Sequence, residues 1–269
     1  MGVTSMSGSV QEFNGIVMYR RDYRERDLLV KILTDKIGKT MFFVKNAKKK
    51  GSRVAADILP FTSGQYTGVL NQDGLSFINT TMETTHFYQI TQDIVKNAYA
   101  TYVLALVDSA FTDQKPLGRW FHQIYQALTL IDDGLDAAVI ANIIEIQLLV
   151  PFGIAPNWQG CSVCGRTDLA FDYSLKYGGV ICQQHYHLDP HRLHVDQRTI
   201  YYLRRFSILD LDQLKSITVH PDTKKKLRQV IDEIYDEGVG LRLKSKRFID
   251  QMDSWAEQIP PLKPKQKDD

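Results

Sequence analysis

All three cysteines of this 269-residue chain stand in one pattern. Cys161-Ser-Val-Cys164 is followed by Cys182-Gln-Gln-His185. A C-x-x-C knuckle and a C-x-x-H knuckle supply four soft or borderline donors for tetrahedral corners, at low loop-closure cost. Gly165 follows the first knuckle, where a tight turn needs positive φ, and Gly178-Gly179 leads into the second as a hairpin would. The spacing predicts a structural zinc ion held by Cys161, Cys164, Cys182 and His185. His187 is a possible substitute for His185. A reading as three buried small hydrophobes leaves the pattern to chance. Three thiols cannot pair fully as disulfides, and no secretory signal opens the chain.

The length fits two or three small units. Hydrophobic residues make up 43% and charged residues 24%, as in an ordinary soluble globular protein. The longest apolar run, Ile140 to Phe152, is broken by Asn142, Glu145 and Gln147. It falls short of the roughly twenty residues needed to cross a bilayer. These features predict a cytoplasmic protein with no membrane partner. The small polar start, 1–11, reads as disordered or as a cloning scar, and the Pro/Lys-rich tail, 259–269, reads as disordered.

Net charge is +2, but it is unevenly spread. Residues 1–85 carry 12 Lys/Arg against 8 Asp/Glu, residues 86–155 carry 3 against 7, and the remainder carries 18 against 16. A basic front, an acidic middle and a mixed rear suggest segments with different tasks.

The front, 12–85, reads as all-β. Five runs rich in strand formers begin near Phe13, Leu28, Lys39, Gln65 and Leu75, and Asn71-Gln-Asp-Gly74 is a plausible hairpin loop. Five short strands with one longer excursion between the third and fourth fit an OB-fold barrel, and an SH3-like barrel would give a similar string. From 86 the period becomes helical. Helices are predicted over Thr91–Phe111, from Pro116 to about Asp133, and over Ala137–Val150 behind an Asp136 cap. The last of these is apolar on more than one face, so it should be a buried centre. Residues 156–190 form the zinc-binding insert, and helices resume over 191–258. The expected class is therefore α+β and multidomain.

Arg20, Arg21, Arg24, Lys39, Lys45, Lys48, Lys49, Lys50 and Arg53 make up a basic strip, densest in the loop after the third strand. A polybasic loop beside a barrel neutralises phosphates and releases their counterions, which drives sequence-independent binding. A charged loop that only aids solubility is the simpler alternative. Tyr19, Tyr23, Phe42, Phe43 and Tyr66 could stack on bases, although about half must face the core. A second group, Lys224 to Lys226 with Arg242, Lys244, Lys246 and Arg247, reads as solvated helix faces. No H-x-E ahead of P-C-x-x-C, H-E-x-x-H, Walker loop, G-x-G-x-x-G or G-x-S-x-G occurs.

Several stretches in order resemble the bacterial RecO family of DNA repair proteins. They are Gly15-Ile-Val-Met-Tyr-Arg-Arg-Asp-Tyr-Arg-Glu-Arg-Asp-Leu-Leu-Val, Leu33-Thr-Asp-Lys-Ile-Gly-Lys, a basic stretch before Leu59-Pro-Phe61, the Pro151-Phe-Gly-Ile-Ala-Pro turn, and the two knuckles with Phe171 and Gly178-Gly179. The resemblance spans most of 12–250. It implies an N-terminal OB-fold, a C-terminal helical domain with an embedded zinc insert, and no bond-breaking activity. It also implies a recombination mediator that binds single- and double-stranded DNA and anneals complementary strands. Such a protein works with RecR to load RecA onto strands coated by single-strand-binding protein (SSB). The family's knuckles are often four cysteines, whereas His185 holds the fourth place here. Two other readings compete. One is a zinc-dependent hydrolase or nuclease in which His187, His191 or Asp189 joins the metal. The other is a protein-interaction scaffold without DNA affinity.

Overall fold

The computed structural model describes residues 10–71 and 73–258. Most of the predicted start, all of the predicted tail, and Gln72 of the hairpin loop lie outside the described residues. Val10 and Gln11 already belong to the first strand.

Five strands form the N-terminal unit: β1 (Val10–Tyr23), β2 (Asp27–Thr34), β3 (Gly38–Val44), β4 (Thr62–Val69) and β5 (Ser76–His86). They close into a barrel in the order β1-β2-β3-β5-β4, with β1 pairing β4 and a short parallel contact between β3 and β5. Alternation decides what fills the barrel. Phe13, Val17, Val30, Ile32, Phe42 and Tyr66 point inward, and Phe13 stacks on both Phe42 and Tyr66. The excursion between β3 and β4 contributes Ala47 and Ile58 to the same core. β1 runs to Tyr23 because its charged end pairs with β2 as far as Asp27. Alternation turns Ile16 and Met18 to the side opposite Val17, where they pack with the helices, and a bulge follows between Val17 and Tyr19.

The helical region opens with α1 (Tyr88–Gln92), α2 (Ile94–Ala110), α3 (Trp120–Asp132) and α4 (Ala137–Leu148). Asp93 caps α2 by accepting from the Val95 and Lys96 amides. Asp136 caps α4 as its sequence position predicts. Helix α3 starts at Trp120, not near Pro116. Gly118 has φ +55, which a right-handed helix cannot include, and the Lys115 carbonyl lies hard against Gly38 of the barrel.

Two short strands, β6 (Phe171–Ser174) and β7 (Gly179–Cys182), form a hairpin. They are followed by α5 (Gln197–Ile208), α6 (Pro221–Ile234) and α7 (Lys244–Gln258). Asp196 caps α5, and its carboxyl is held down to about 2: burial opposes the shift, while hydrogen bonds from Thr199 and Lys226 drive it. Gly240, with φ +66, ends a π-turn after α6. Among the described residues, no helix is long and apolar enough to cross a membrane.

Helix α4 is the centre of the helical region. Every residue from Val139 to Leu148 is buried, including Glu145, which has no exposed surface. Its carboxylate accepts two bonds from the Arg228 guanidinium at 2.6 and 2.8 Å, and one from the Tyr102 hydroxyl. Tyr235 donates to the Glu145 carbonyl at 2.8 Å. Three elements, α2, α6 and the π-turn, therefore converge on one residue of α4. Removing one partner of such a pair strands a buried charge, which costs about 3–5 kcal/mol. Glu145→Ala should lose stability of that order in urea unfolding followed by circular dichroism. A loss below about 1 kcal/mol would mean that solvent reaches Arg228 and relieves it.

Candidate metal centre and basic surface

The first knuckle is a tight turn. The Gly165 amide donates to the Cys161 carbonyl at 2.8 Å, and the Cys161 amide donates to the Arg166 carbonyl at 2.8 Å. Gly165 takes φ +73 there, as its sequence position predicts. The second knuckle ends the β6-β7 hairpin, where Cys182 pairs with Phe171. The Ser162 amide bonds the Val180 carbonyl at 2.8 Å and holds the two knuckles together. Gly179 is packed so closely that a Cβ would lie 2.6 Å from the Asn157 carbonyl oxygen.

The structure brings all four predicted ligands together. Their donor atoms lie within 4.8 Å of one another. Cys161 Sγ is 3.5 Å from His185 Nδ1, Cys182 Sγ is 3.2 Å from the same nitrogen, and Cys164 Sγ is 3.9 Å from Cys182 Sγ. A tetrahedron with metal–sulfur bonds of about 2.3 Å has sulfur–sulfur edges of about 3.8 Å, so the cage matches a zinc-sized ion. Burial works against ionising Cys161. The amides of Cys182, Cys164 and Val163 and the His185 ring outweigh it and bring the thiol down to about 6. The thiolate is the ligating form.

Among the described residues, neither His187, His191 nor Asp189 belongs to this cluster. Asp189 is buried and engaged elsewhere, accepting from the Ser174 hydroxyl at 2.5 Å and the His191 amide at 3.0 Å.

The basic strip divides. Arg20, Arg21, Arg24, Lys45, Lys48, Lys49, Lys50 and Arg53 are exposed. Lys39 is not, and its predicted role as a phosphate contact is corrected here. It is 4% exposed, and its Nζ meets Asp108 at 2.9 Å and Asp113 at 2.7 Å. Lys31 joins the same two carboxylates. Alternation placed Lys39 on the outer barrel face, but that face is covered by the end of α2 and the loop after it. Burial opposes charging of Lys39, yet Asp113 and Asp108 raise its pKa. Burial likewise opposes ionising Asp113, and Lys31 and Lys39 hold its carboxyl low.

The remaining cations gather at one end. The Lys48 amide donates to the Arg26 carbonyl at 3.0 Å, and the Asn46 amide donates to the Asp27 carboxylate at 2.8 Å. These bonds fix the 45–53 loop onto the β1-β2 tip. Lys48 is partly neutralised by Asp22 at 2.8 Å. Among the described residues, Arg20, Arg21, Lys45, Lys49, Lys50 and Arg53 make no ion pair. Three members of the second basic group are paired. Lys224 meets Asp136, Lys226 meets Asp196, and Lys246 meets Asp232.

The aromatic candidates also divide. Phe42 and Tyr66 are core residues with no exposed surface. Tyr19, Tyr23 and Phe43 face outward, and sequence reasoning missed Phe77, which joins them at 41% exposure. The signal was the alternation of β5: buried Ser76 and half-buried Ile78 flank Phe77.

Barrel, helical body and four-donor knuckle in this order define a two-part protein whose class the comparisons identify. Family models described as "Recombination protein O N terminal" and "Recombination protein O C terminal" match residues 6–87 and 91–247. The chain belongs to the RecO family. A curated relative from Levilactobacillus brevis, "DNA repair protein RecO", is 58% identical over 256 residues, covering 95% of this chain and 98% of its own. Proteins of the same name from Limosilactobacillus reuteri and Enterococcus faecalis are 58% and 46% identical, with 96% and 95% of this chain covered and 98% of each relative.

Cys164→Ser should lower bound metal well below one ion per chain by atomic emission, and a chelator should lower the wild-type melting temperature. Lys39→Ala should cost about 1–3 kcal/mol, since it leaves the Asp108–Asp113 pair undercompensated, with oligonucleotide affinity unchanged. Lys49→Glu should do the reverse. The Asp113 share of the lock is full above about pH 3.9, the ordinary carboxylate value, and is lost as pH falls through its lower folded value, so acid melts should separate wild type from Asp113→Asn.

Proposed function

We propose that this chain is a DNA-binding recombination mediator that anneals complementary strands. The observation that carries this is the bonding of the 45–53 loop to the β1-β2 tip, which gathers exposed cations from two chain segments. Two polyanionic strands on one positive surface repel each other less, so complementary bases can meet. Single- and double-stranded DNA are both ligands for such a surface. Family membership supports joint action with RecR, contact with SSB, loading of RecA, and a cytoplasmic, nucleoid-associated location. The barrel's closure and its long β3–β4 excursion support an OB-fold in place of an SH3-like barrel. The barrel is assigned to 12–85, with its paired strands reaching 10 and 86. Helical parts are assigned to 86–155 and 191–258, and the metal insert to 156–190.

The donor cluster suits zinc held as a staple by Cys161, Cys164, Cys182 and His185. Three thiolates and a neutral imidazole leave the occupied site with a formal charge near −1, a poor anchor for phosphate. Four side-chain donors fill the tetrahedron. The engagement of Asp189 with Ser174 removes one ligand that a hydrolase reading would recruit. No bond-breaking step is therefore assigned.

Binding of a labelled oligonucleotide should weaken steeply as salt rises. Changing Lys48, Lys49 and Lys50 together to Glu should slow strand annealing and weaken binding by about a hundredfold. The Lys49/Lys50 double variant leaves the Lys48–Asp22 pair intact and controls for folding. Salt-insensitive binding, or full annealing by both variants, would overturn the proposal and favour a protein-interaction scaffold.

A further inference from the structure

The barrel's outer face carries an aromatic row that the phosphate-binding surface leaves unused. Phe43 of β3 lies edge-on between two rings, with Tyr23 at a centroid distance of 5.8 Å and Phe77 at 6.0 Å. The interplanar angles, 86° and 79°, are those of edge-to-face contacts, so the rings are not stacked on one another. Register explains the row. Phe43 pairs with Phe77 across the parallel β3-β5 contact and with Leu29 across β2-β3. Phe42, the preceding residue, fills the barrel instead.

A soluble protein gains nothing in stability from leaving Phe77 41% exposed. A patch for another protein's apolar surface would be expected to carry few charges at its centre. This one is bordered by cations. Arg24 sits over the Tyr23 ring at 5.2 Å, Arg21 shares the outer face of β1 with Tyr23 by alternation, and Lys45 stands just past the end of β3. π-surfaces edged by positive charge match one polymer chemistry: unpaired bases on a phosphodiester backbone. Duplex DNA hides its base faces in the stack and can use only the cations.

We propose that Tyr23, Phe43 and Phe77 form a stacking platform for the bases of single-stranded DNA, with phosphates held by the adjoining Arg21, Arg24 and Lys45. This rests on the DNA-binding reading and assigns a strand-selective part to it. The platform holds bases splayed while the cations hold backbone, so a captured strand is presented with its pairing edges free.

The test uses the full-length protein, an oligothymidylate strand, an abasic strand of equal length and a duplex. Phe77→Leu and Phe43→Leu keep apolar bulk and remove the ring, and thermal melts report whether each variant is folded. Wild type should bind oligothymidylate more tightly than the abasic strand. Each variant should lose about tenfold or more on oligothymidylate, with little change on the abasic strand or the duplex and an unchanged salt slope. Equal affinities of wild type for base-bearing and abasic strands, or equal losses on all three ligands, would overturn the platform. Wild type that binds no DNA at all would instead sink the underlying proposed function. If Phe43→Leu fails to fold, the more exposed Phe77→Leu decides alone.

Discussion

A single buried carboxylate organises the helical half of this molecule. Glu145 lies at the centre of α4, on a helix with no solvent face over Val139–Leu148. A lone charge there would cost several kcal/mol. Arg228 meets it with two parallel bonds, and Arg228 is itself tied to Asp232 at 2.7 Å. Tyr102 and Tyr235 complete the shell, and burial pushes both phenols well up, so they stay protonated as donors. An apolar residue at 145 could pack as tightly, but it would not dictate which turn of α6 faces which turn of α2. The ion pair joins those turns, and the apolar contacts around it supply most of the energy.

A second set of charges, two buried lysines and two partly exposed carboxylates, joins the two halves. Lys31 and Lys39 leave the barrel, Asp108 and Asp113 leave α2 and its following loop, and four opposite charges meet. Ile16, Met18, Leu33 and Phe61 of the barrel pack into the helical core beside them. Alternation along β1 makes this possible by turning Ile16 and Met18 away from the barrel core. The acidic character of the middle segment thus has a structural use at one end: two of its carboxylates neutralise two of the front's lysines. The metal hairpin is similarly integrated. Cys161, Phe171, Tyr173 and Cys182 all lie in the helical core, so the knuckles are a corner of that core, not an appendage.

Much of this was legible in the sequence where one local rule governed. Cysteine spacing located all four donors because loop closure acts over a few residues. Asp136 announced its helix because a cap satisfies amides two and three positions on. Strand alternation required about half of the candidate aromatics to face the core, and Phe42 is one that does. The misreadings arose where a distant segment intervened. Nothing near Lys39 reveals that α2 covers it. Nothing near Pro116 reveals that Lys115 abuts Gly38, which delays α3 to Trp120. Phe77 escaped notice because its significance lies in the parallel contact with β3, a pairing that no short-range pattern encodes.

The same distinction clarifies how a chain of net charge +2 can present a group of unpaired cations at one end. What matters is which charges are already spent. At the rear, Lys224, Lys226, Arg228 and Lys246 each face an aspartate or glutamate, and their fields are cancelled at close range. In the barrel, Lys31 and Lys39 are consumed by the lock, and Lys48 is partly consumed by Asp22. While Arg242, Lys244 and Arg247 stay exposed at the rear, the strip cations left over stand on the β1-β2 tip and the loop bonded to it. Fully hydrated charges there cost no desolvation in the free protein and can release counterions when phosphate arrives. A buried pair can do neither. Burial, more than sequence density, therefore selects which basic residues are available to a polyanion.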